Sequence, residues 1–447
     1  MNSCANIIPP GGGPRDSLPP RLVTATPKDS ALNVTAQKII LTFDEYVEVK
    51  DLQDNLIVSP VPKNQPLIDY KLRNVTIKLR DSLEANTTYT INFGNSIKDV
   101  NEGNAAKKFV YVFSTGNKID NNNFSGKVLL AETGKVDSTL IVVLHKNLSD
   151  TAVMKLSPRY YAKLNGDGSF IFNNLPQGNF NVFALPNDYT KKYDDTTKLF
   201  AFADSMIKVG SSNNAITLYA YEEAKKKSNA PTSNTGSQSK GTPQEKRLRY
   251  TANLEGGRQD LLSNTLKLEF NRKLAVFDST KITLTDTSFI PIKGYTVSLD
   301  SSRTKIIITS AWKENMLLRV LIQKDALADS VGTKLAKADT LRFGTKKETE
   351  YGSLKIRFNN LDTTQNPVLQ IVSGTEIIES IALKQKDFYR KLFLPGEYEL
   401  RVLFDRNKNG IWDTGNYKFK KQPEIVKQLD KKLSIRANWD NENEIAL

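Results

Sequence analysis

Apolar residues recur at every second position in short runs along this chain, and turn-forming residues separate the runs. Over residues 21–117 the runs fall at 38–44, 56–59, 75–79, 88–93 and 109–113. Alternation is clearest at 75–79 and 89–93, which predicts half-buried strands with one face in a core. Pro60, Pro62, Asn64, Asn86, Asn101, Gly103 and Asn104 stand between the runs, where turns are needed. Short, evenly spaced strands joined by tight turns predict a β-sandwich.

Residues 118–222 change texture. Strands are predicted at 124–130 and 139–145, the second ending on His145. Asn165, Gly166, Asp167 and Gly168 give a strong hairpin signal. Leu175-Pro-Gln-Gly178 imposes a second turn before another alternating strand, so a smaller antiparallel sandwich is expected. Residues 223–246 hold Lys225, Lys226 and Lys227 followed by Ser, Asn, Thr, Gly and Pro. With almost no apolar content this stretch cannot offset its own ordering entropy, and it reads as a flexible linker.

Beyond the linker the pattern repeats. Leu266-Lys-Leu-Glu-Phe mirrors Ile40-Leu-Thr-Phe, and Lys305-Ile-Ile-Ile mirrors Val75-Thr-Ile-Lys. Leu394-Pro-Gly-Glu-Tyr mirrors Leu175-Pro-Gln-Gly-Asn-Phe more weakly. The expected architecture is all-β, a series of tandem antiparallel β-sandwiches in the order A, B, linker, A, B. Its parts are a tether at 1–20, A at 21–117, B at 118–222, the linker at 223–246, a divergent A at 247–349 and a divergent B at 350–447. A duplicated unit of this kind argues for modular elongation rather than one catalytic core.

Composition narrows the functional classes. Hydrophobic residues at 39% and charged residues at 25% fit a folded protein, and 447 residues allow two to four domains. No run of 18 apolar residues is present to form a membrane-spanning helix. The net charge of +14 is uneven: residues 223–250 carry 7 basic and 2 acidic residues, and most of the remaining excess lies in the second half. That suits a solvated basic surface or attraction to anionic glycans or lipid headgroups. Nucleic acid is not expected, because no helix-turn-helix, zinc or aromatic-basic RNA motif occurs. One cysteine rules out an internal disulfide framework, and one histidine rules out multi-histidine metal sites.

Four places could carry chemistry. Cys4 follows Ser3, the kind of small residue that precedes an acylated cysteine, and a Pro/Gly-rich spacer follows it. The charged and apolar regions of a signal peptide do not precede it in this sequence. Asp405, Asn407, Asn409 and Asp413, with Gly410 at the turn, match the first part of a calcium loop, which needs alternate oxygen ligands and a sharply turned glycine. Asn416 stands where a bidentate Glu would complete it. The alternative is a hairpin loop built on Asn and Gly, with Trp412 and Tyr417 packed beneath it. Asp44, Glu45, Glu48 and Asp51 form an acidic cluster that could supply a catalytic carboxylate pair or only solvated loop charge. Asn165 to Gly168 could cradle a cation or simply turn the chain.

The A segment carries a resemblance. Pro19-Pro-Arg-Leu-Val-Thr-Ala-Thr-Pro, then Ile40-Leu-Thr-Phe-Asp, then Leu83-Glu-Ala-Asn-Thr-Thr-Tyr, resemble the bacterial Ig-like domain of S-layer-type proteins over about 95 residues. The B segments resemble transthyretin-like or carboxypeptidase-regulatory-like sandwiches through Asp167-Gly-Ser-Phe and Leu175-Pro-Gln-Gly-Asn-Phe. The opening through Pro20 is similar to Ig-like lipoproteins of the Bacteroidota. The resemblance implies a non-enzymatic envelope lipoprotein held at the outer membrane by acyl chains on Cys4. The expected partner is an envelope protein or outer-membrane complex, and the alternative role is a glycan-binding or adhesion module. No cofactor is expected, apart from the calcium that the spacing of the Asp405 loop could suit.

Overall fold

The computed structural model describes residues 16–210, 215–224 and 247–447. Cys4 and nearly all of the expected linker lie outside them. The alternating runs form sheets as their periodicity requires. Lys38–Phe43 turns Ile39, Leu41 and Phe43 inward, Asn74–Lys78 does the same with Val75 and Ile77, and all five are at most 1% exposed.

The first A domain has a four-stranded sheet in the order Leu22–Thr26, Lys38–Phe43, Asn74–Lys78, Leu67–Lys71. A second sheet runs Ile57–Ser59, Thr88–Gly94, Phe109–Ser114, and Val47–Val49 pairs with Ile97–Asp99. The second A domain repeats this order with Tyr250–Ala252, Thr265–Phe270, Lys305–Thr309 and Thr296–Leu299. It likewise pairs Leu274–Phe277 with Leu327–Asp329. In both copies the second strand of that pair ends on a buried aspartate. Asp99 accepts backbone N–H bonds from Glu102 (2.5 Å), Gly103 (3.0 Å) and Asn104 (2.7 Å). Asp329 accepts from Val331 (3.0 Å) and Thr333 (2.7 Å) and pairs with Arg272 (2.9 Å).

Each B domain opens on a three-stranded sheet. In the first it is Ser169–Leu175, Asn122–Leu130, Ile216–Ala220, and in the second Asp387–Phe393, Gly352–Asn359, Asp440–Ala446. The domain's first and last strands lie side by side and run parallel, Gly126 against Ile216 and Ser353 against Asp440. These sheets are therefore mixed, because the chain enters and leaves the domain along neighbouring strands.

The facing sheet of the first B domain is Tyr160–Lys163, Leu140–His145, Gly178–Pro186, Ala201–Phe202, with Ile207–Val209 against the far end of Gly178–Pro186. Gly178–Pro186 and Gly396–Phe404 share the same burial sequence position by position. Leu175 pairs with Asn122 in one copy and Phe393 with Gly352 in the other. Phe393, not Leu394, thus occupies the core place of Leu175, and the repeat runs through this turn without the one-residue deletion that matching the two Leu-Pro pairs would need.

By its internal packing the chain divides into two units. One comprises residues 1–228 together with Ile411–Gln428, and the other comprises Asn229–Gly410 and Leu429–Leu447. Within the first unit the Arg159 guanidinium grips the Glu84 carboxylate through two 2.6 Å bonds and holds it below the usual carboxylate range.

Asp99 offers a test of the turn chemistry. Burial pushes its pKa up, but the N–H bonds from Glu102, Asn104 and Gly103 outweigh burial and leave it lowered. Asp99→Ala is expected to cost about 1–3 kcal/mol in urea unfolding at neutral pH. That difference should be present above the unfolded carboxylate pKa of about 4 and shrink as pH falls through the lowered folded value.

Candidate functional site

Leu140–His145 is buried at all six positions, so the sheet it centres is covered on both faces. One face, with Leu140, Val142, Leu144, Val182 and Ala184, joins the core that holds Phe124, Phe170 and Phe172. The other face presents Ile141, Val143, Phe183 and Leu185 to a second, aromatic core. Tyr193, Phe200, Phe202 and Tyr221 supply most of that layer from within the domain. Tyr193 stacks on Phe200 at 3.9 Å between ring centroids.

The layer is completed by Tyr417, from the segment Ile411–Gln428. Its ring lies edge-on to Phe200 (5.0 Å), Phe202 (5.2 Å) and Phe183 (5.8 Å), and it is 6% exposed. Burial raises the pKa of its phenol, whose hydroxyl donates to the Asp150 carbonyl (2.9 Å). The Tyr417 N–H donates to the Glu223 carboxylate (2.8 Å), and the Thr414 hydroxyl donates to the Glu222 carbonyl (2.6 Å). The Gln422 amide donates to the Phe202 carbonyl (3.0 Å), Lys420 pairs with Asp150 (2.6 Å), and the Val426 N–H donates to the Ala131 carbonyl (2.9 Å). Gly415 is required for this fit, because a Cβ there would lie 2.6 Å from the Tyr221 ring. Trp412 and Tyr417, expected beneath the Asp405 loop, pack within the first unit. Both join the aromatic core of the first B domain, Trp412 at its margin.

The predicted calcium residues are divided between the two units. Asp405 is buried, and its carboxylate accepts N–H bonds from Lys408 (2.6 Å) and Gly410 (2.7 Å). The Asn407 side-chain oxygen accepts from the Asn409 N–H (3.1 Å). Asp413 belongs to the other unit, where its N–H donates to the Glu424 carboxylate (3.1 Å). The first B domain has a comparable turn shortly after the corresponding strand. There Asp188 accepts from the Lys191 N–H (2.7 Å) and pairs with Lys198 (2.5 Å), and Lys191 and Lys408 both adopt positive φ. An aspartate that closes its own loop through backbone N–H groups accounts for both turns. Among the described residues, no group of three or more His, Cys, Asp and Glu side chains is gathered to hold a metal ion. A cavity of about 670 Å³ adjoins the Asp405 turn, lined in part by Thr363, Ser380, Lys384 and Lys408.

The other candidates serve local structure. Asp44 accepts the Arg21 N–H (2.8 Å), Glu48 pairs with Lys50 (2.5 Å) and Asp51 with Lys98 (3.2 Å). Glu45 has its pKa raised, first by burial and then by Asp99 and Asp44. In the 165–168 turn, the Asp167 carboxylate accepts both the hydroxyl (2.7 Å) and the N–H (3.0 Å) of Ser169. His145 is buried against the edge of Phe183, and burial pushes its pKa down to about 4. The sequence has Tyr417 packed under its own loop and gives no local sign of its place in the aromatic core of the first B domain. The signal for it was the unbroken apolar run 140–144, which needs cover on two sides.

Residues 16–115 match the bacterial Ig-like domain family. The Ig-like domain thus comprises the first A domain, with the paired Asp99 turn and the Glu84 anchor for Arg159 inside it. No curated protein matches the chain. Among solved structures, the N-terminal part of the bacterial S-layer protein SbsC is 13% identical, covers 39% of this chain and has 42% of its own length covered, with a TM-score of 0.17. The Bacillus anthracis TIE protein is 9% identical over 98% of this chain and 75% of its own, with a TM-score of 0.18. The major pilin subunit BcpA of Bacillus cereus is 8% identical over 73% and 98%, with a TM-score of 0.17. At such identities and TM-scores the likeness carries nothing about role.

Two substitutions separate the cover from the loop. Tyr417→Ala should lower the stability of the first unit by about 3–5 kcal/mol, as for other large buried aromatics, and Tyr417→Phe by about 1 kcal/mol. Hydrogen exchange of the amides at 200–202 should accelerate in the first variant. Asp405→Ala should lower the melting temperature equally in calcium and in EDTA. A loss confined to calcium would instead assign the loop to an ion.

Proposed function

We propose that this chain is a non-enzymatic cell-envelope lipoprotein, acylated at Cys4, whose tandem sandwiches serve as a structural or accessory protein-binding module at the outer membrane. The observation that carries the reading is the repeated A–B unit, whose two B copies share their sheet order and whose A copies share a four-stranded sheet and a two-stranded pair, with the Ig-like match over residues 16–115 at its start. In such a unit the buried aspartates and aromatics that stand out hold turns and faces together. A protein built this way works through surface and reach. The Pro/Gly-rich stretch after Cys4 would set the reach from an acylated end. Two acyl chains suffice for stable anchoring where one gives only marginal binding.

Because Cys4 is the only cysteine, thiol-directed lipidation has one possible site. Metabolic labelling with an alkyne fatty acid should mark the wild type in the membrane fraction. Cys4→Ala should lose the label and move to the soluble fraction. Label retained by the variant, or none on the wild type, would refute the anchor.

A further inference from the structure

The outer face of the first B domain, where Ile411–Gln428 packs, is covered by loops that carry exposed apolar side chains and lysines. Three loops meet there around Tyr193 and Tyr417, whose rings are 6.3 Å apart. The loop at 146–156 is fixed by the Tyr417 hydroxyl on Asp150 (2.9 Å) and by the Tyr193 N–H on the Val153 carbonyl (3.0 Å). The loop at 187–193 carries Tyr193 itself, and the turn at 417–421 carries Tyr417. On these loops Phe419 is 75% exposed and Tyr189 100% exposed, with Leu148, Met154 and Leu156 each 44% exposed.

The same three stretches hold seven lysines against two aspartates. Asp150 is paired with Lys420, and Lys198 pairs with both Asp188 and Asp194, the acid that directly follows Tyr193. Lys191 lies over the Tyr161 ring rather than at the tip. Lys418 and Lys421 flank Phe419 on the exposed turn, and Lys155 is exposed next to Met154 on the 146–156 loop.

We infer that this face of the first B domain docks on the surface of an anionic lipid bilayer. Phe419 and Tyr189 would enter the boundary between headgroups and acyl chains, and the flanking lysines would face lipid phosphates. Aromatic rings prefer that boundary, and lysines keep their ammonium groups in the headgroup layer while their stems follow the apolar tip. Charge selects this occupant: an apolar protein partner would not use a rim of lysines, and a soluble anion would not use an exposed Phe419. The surface is independent of Cys4 and would act as a second membrane contact.

The test uses the full chain carrying Cys4→Ala, so that no acyl chain contributes, in co-sedimentation with vesicles. The chain should sediment with mixed phosphatidylglycerol–phosphatidylcholine vesicles and not with phosphatidylcholine alone. Basic residues near anionic lipid act almost independently, so Lys418→Glu with Lys421→Glu should lower partitioning at least about tenfold at low salt. Phe419→Ala should lower it about tenfold, with the shortfall persisting at high salt. Phe419 and both lysines are exposed, and unchanged melting curves would confirm that the variants fold. Three results would overturn the inference: no sedimentation with phosphatidylglycerol vesicles, equal partitioning of all variants, or vesicle binding abolished by polyglutamate with Phe419→Ala indistinguishable from wild type. The last would mark an acidic protein partner. Since acylation is absent throughout, none of these outcomes bears on Cys4.

Discussion

The first B domain depends on covering a sheet that is apolar on both faces. Leu140–His145 and Gly178–Pro186 send side chains in both directions, and a sandwich partner covers only one face. Without a second layer, Ile141, Val143, Phe183 and Leu185 would face water, at a cost of about 1.5–3 kcal/mol for each large side chain. Tyr193, Phe200, Phe202 and Tyr221 supply most of the cover, and Tyr417 closes it from a segment nearly two hundred residues further along the chain. Hydrogen bonds from Tyr417, Thr414 and Gln422 then satisfy backbone and carboxylate groups around the rim that this cover would otherwise strand.

The matching topology of the two B domains shows where the segment leaves the second copy. The two B domains share strand order and register, so Val143 opposite Phe183 in the first corresponds to Gln370 opposite Arg401 in the second. The inner faces stay apolar in both copies, while the outward faces diverge into an aromatic surface in one and a buried polar pair in the other. The loop following Gly178–Pro186 stays at home and contributes Tyr193. The stretch following Gly396–Phe404 begins with the comparable aspartate turn and then passes into the first unit at Ile411. A repeated architecture has in this way acquired a role for one loop that its counterpart lacks.

Most of the fold was legible because alternation reports burial directly. Ile39, Leu41 and Phe43 read as one face of a strand and are one face of a strand. The repeat was legible for the same reason, apart from the one-residue offset at Phe393, where two Leu-Pro pairs suggested a false alignment. The Asp405 loop was harder. Spaced aspartate and asparagine side chains suit a cation and also suit backbone N–H groups, and only the geometry of Asp405 and Asp188 shows the second use. Tyr417 was beyond local pattern altogether. It sits among Gly, Asn and Lys, and what makes it a core residue is the double-faced strand at 140–145, far away in sequence.

The central claim, that Ile411–Gln428 belongs to the packed interior of the first unit in solution, is tested most directly by zero-length carbodiimide coupling of carboxylates to amines. Lys420 Nζ lies 2.6 Å from the Asp150 carboxylate. Coupling followed by peptide mass spectrometry should join the peptide containing Asp150 to the one containing Lys420 within a single chain, with a yield that does not change on dilution. Absence of that linkage while Arg-free pairs such as Lys281 with Asp325 do couple, or a linkage that disappears on dilution, would contradict the account.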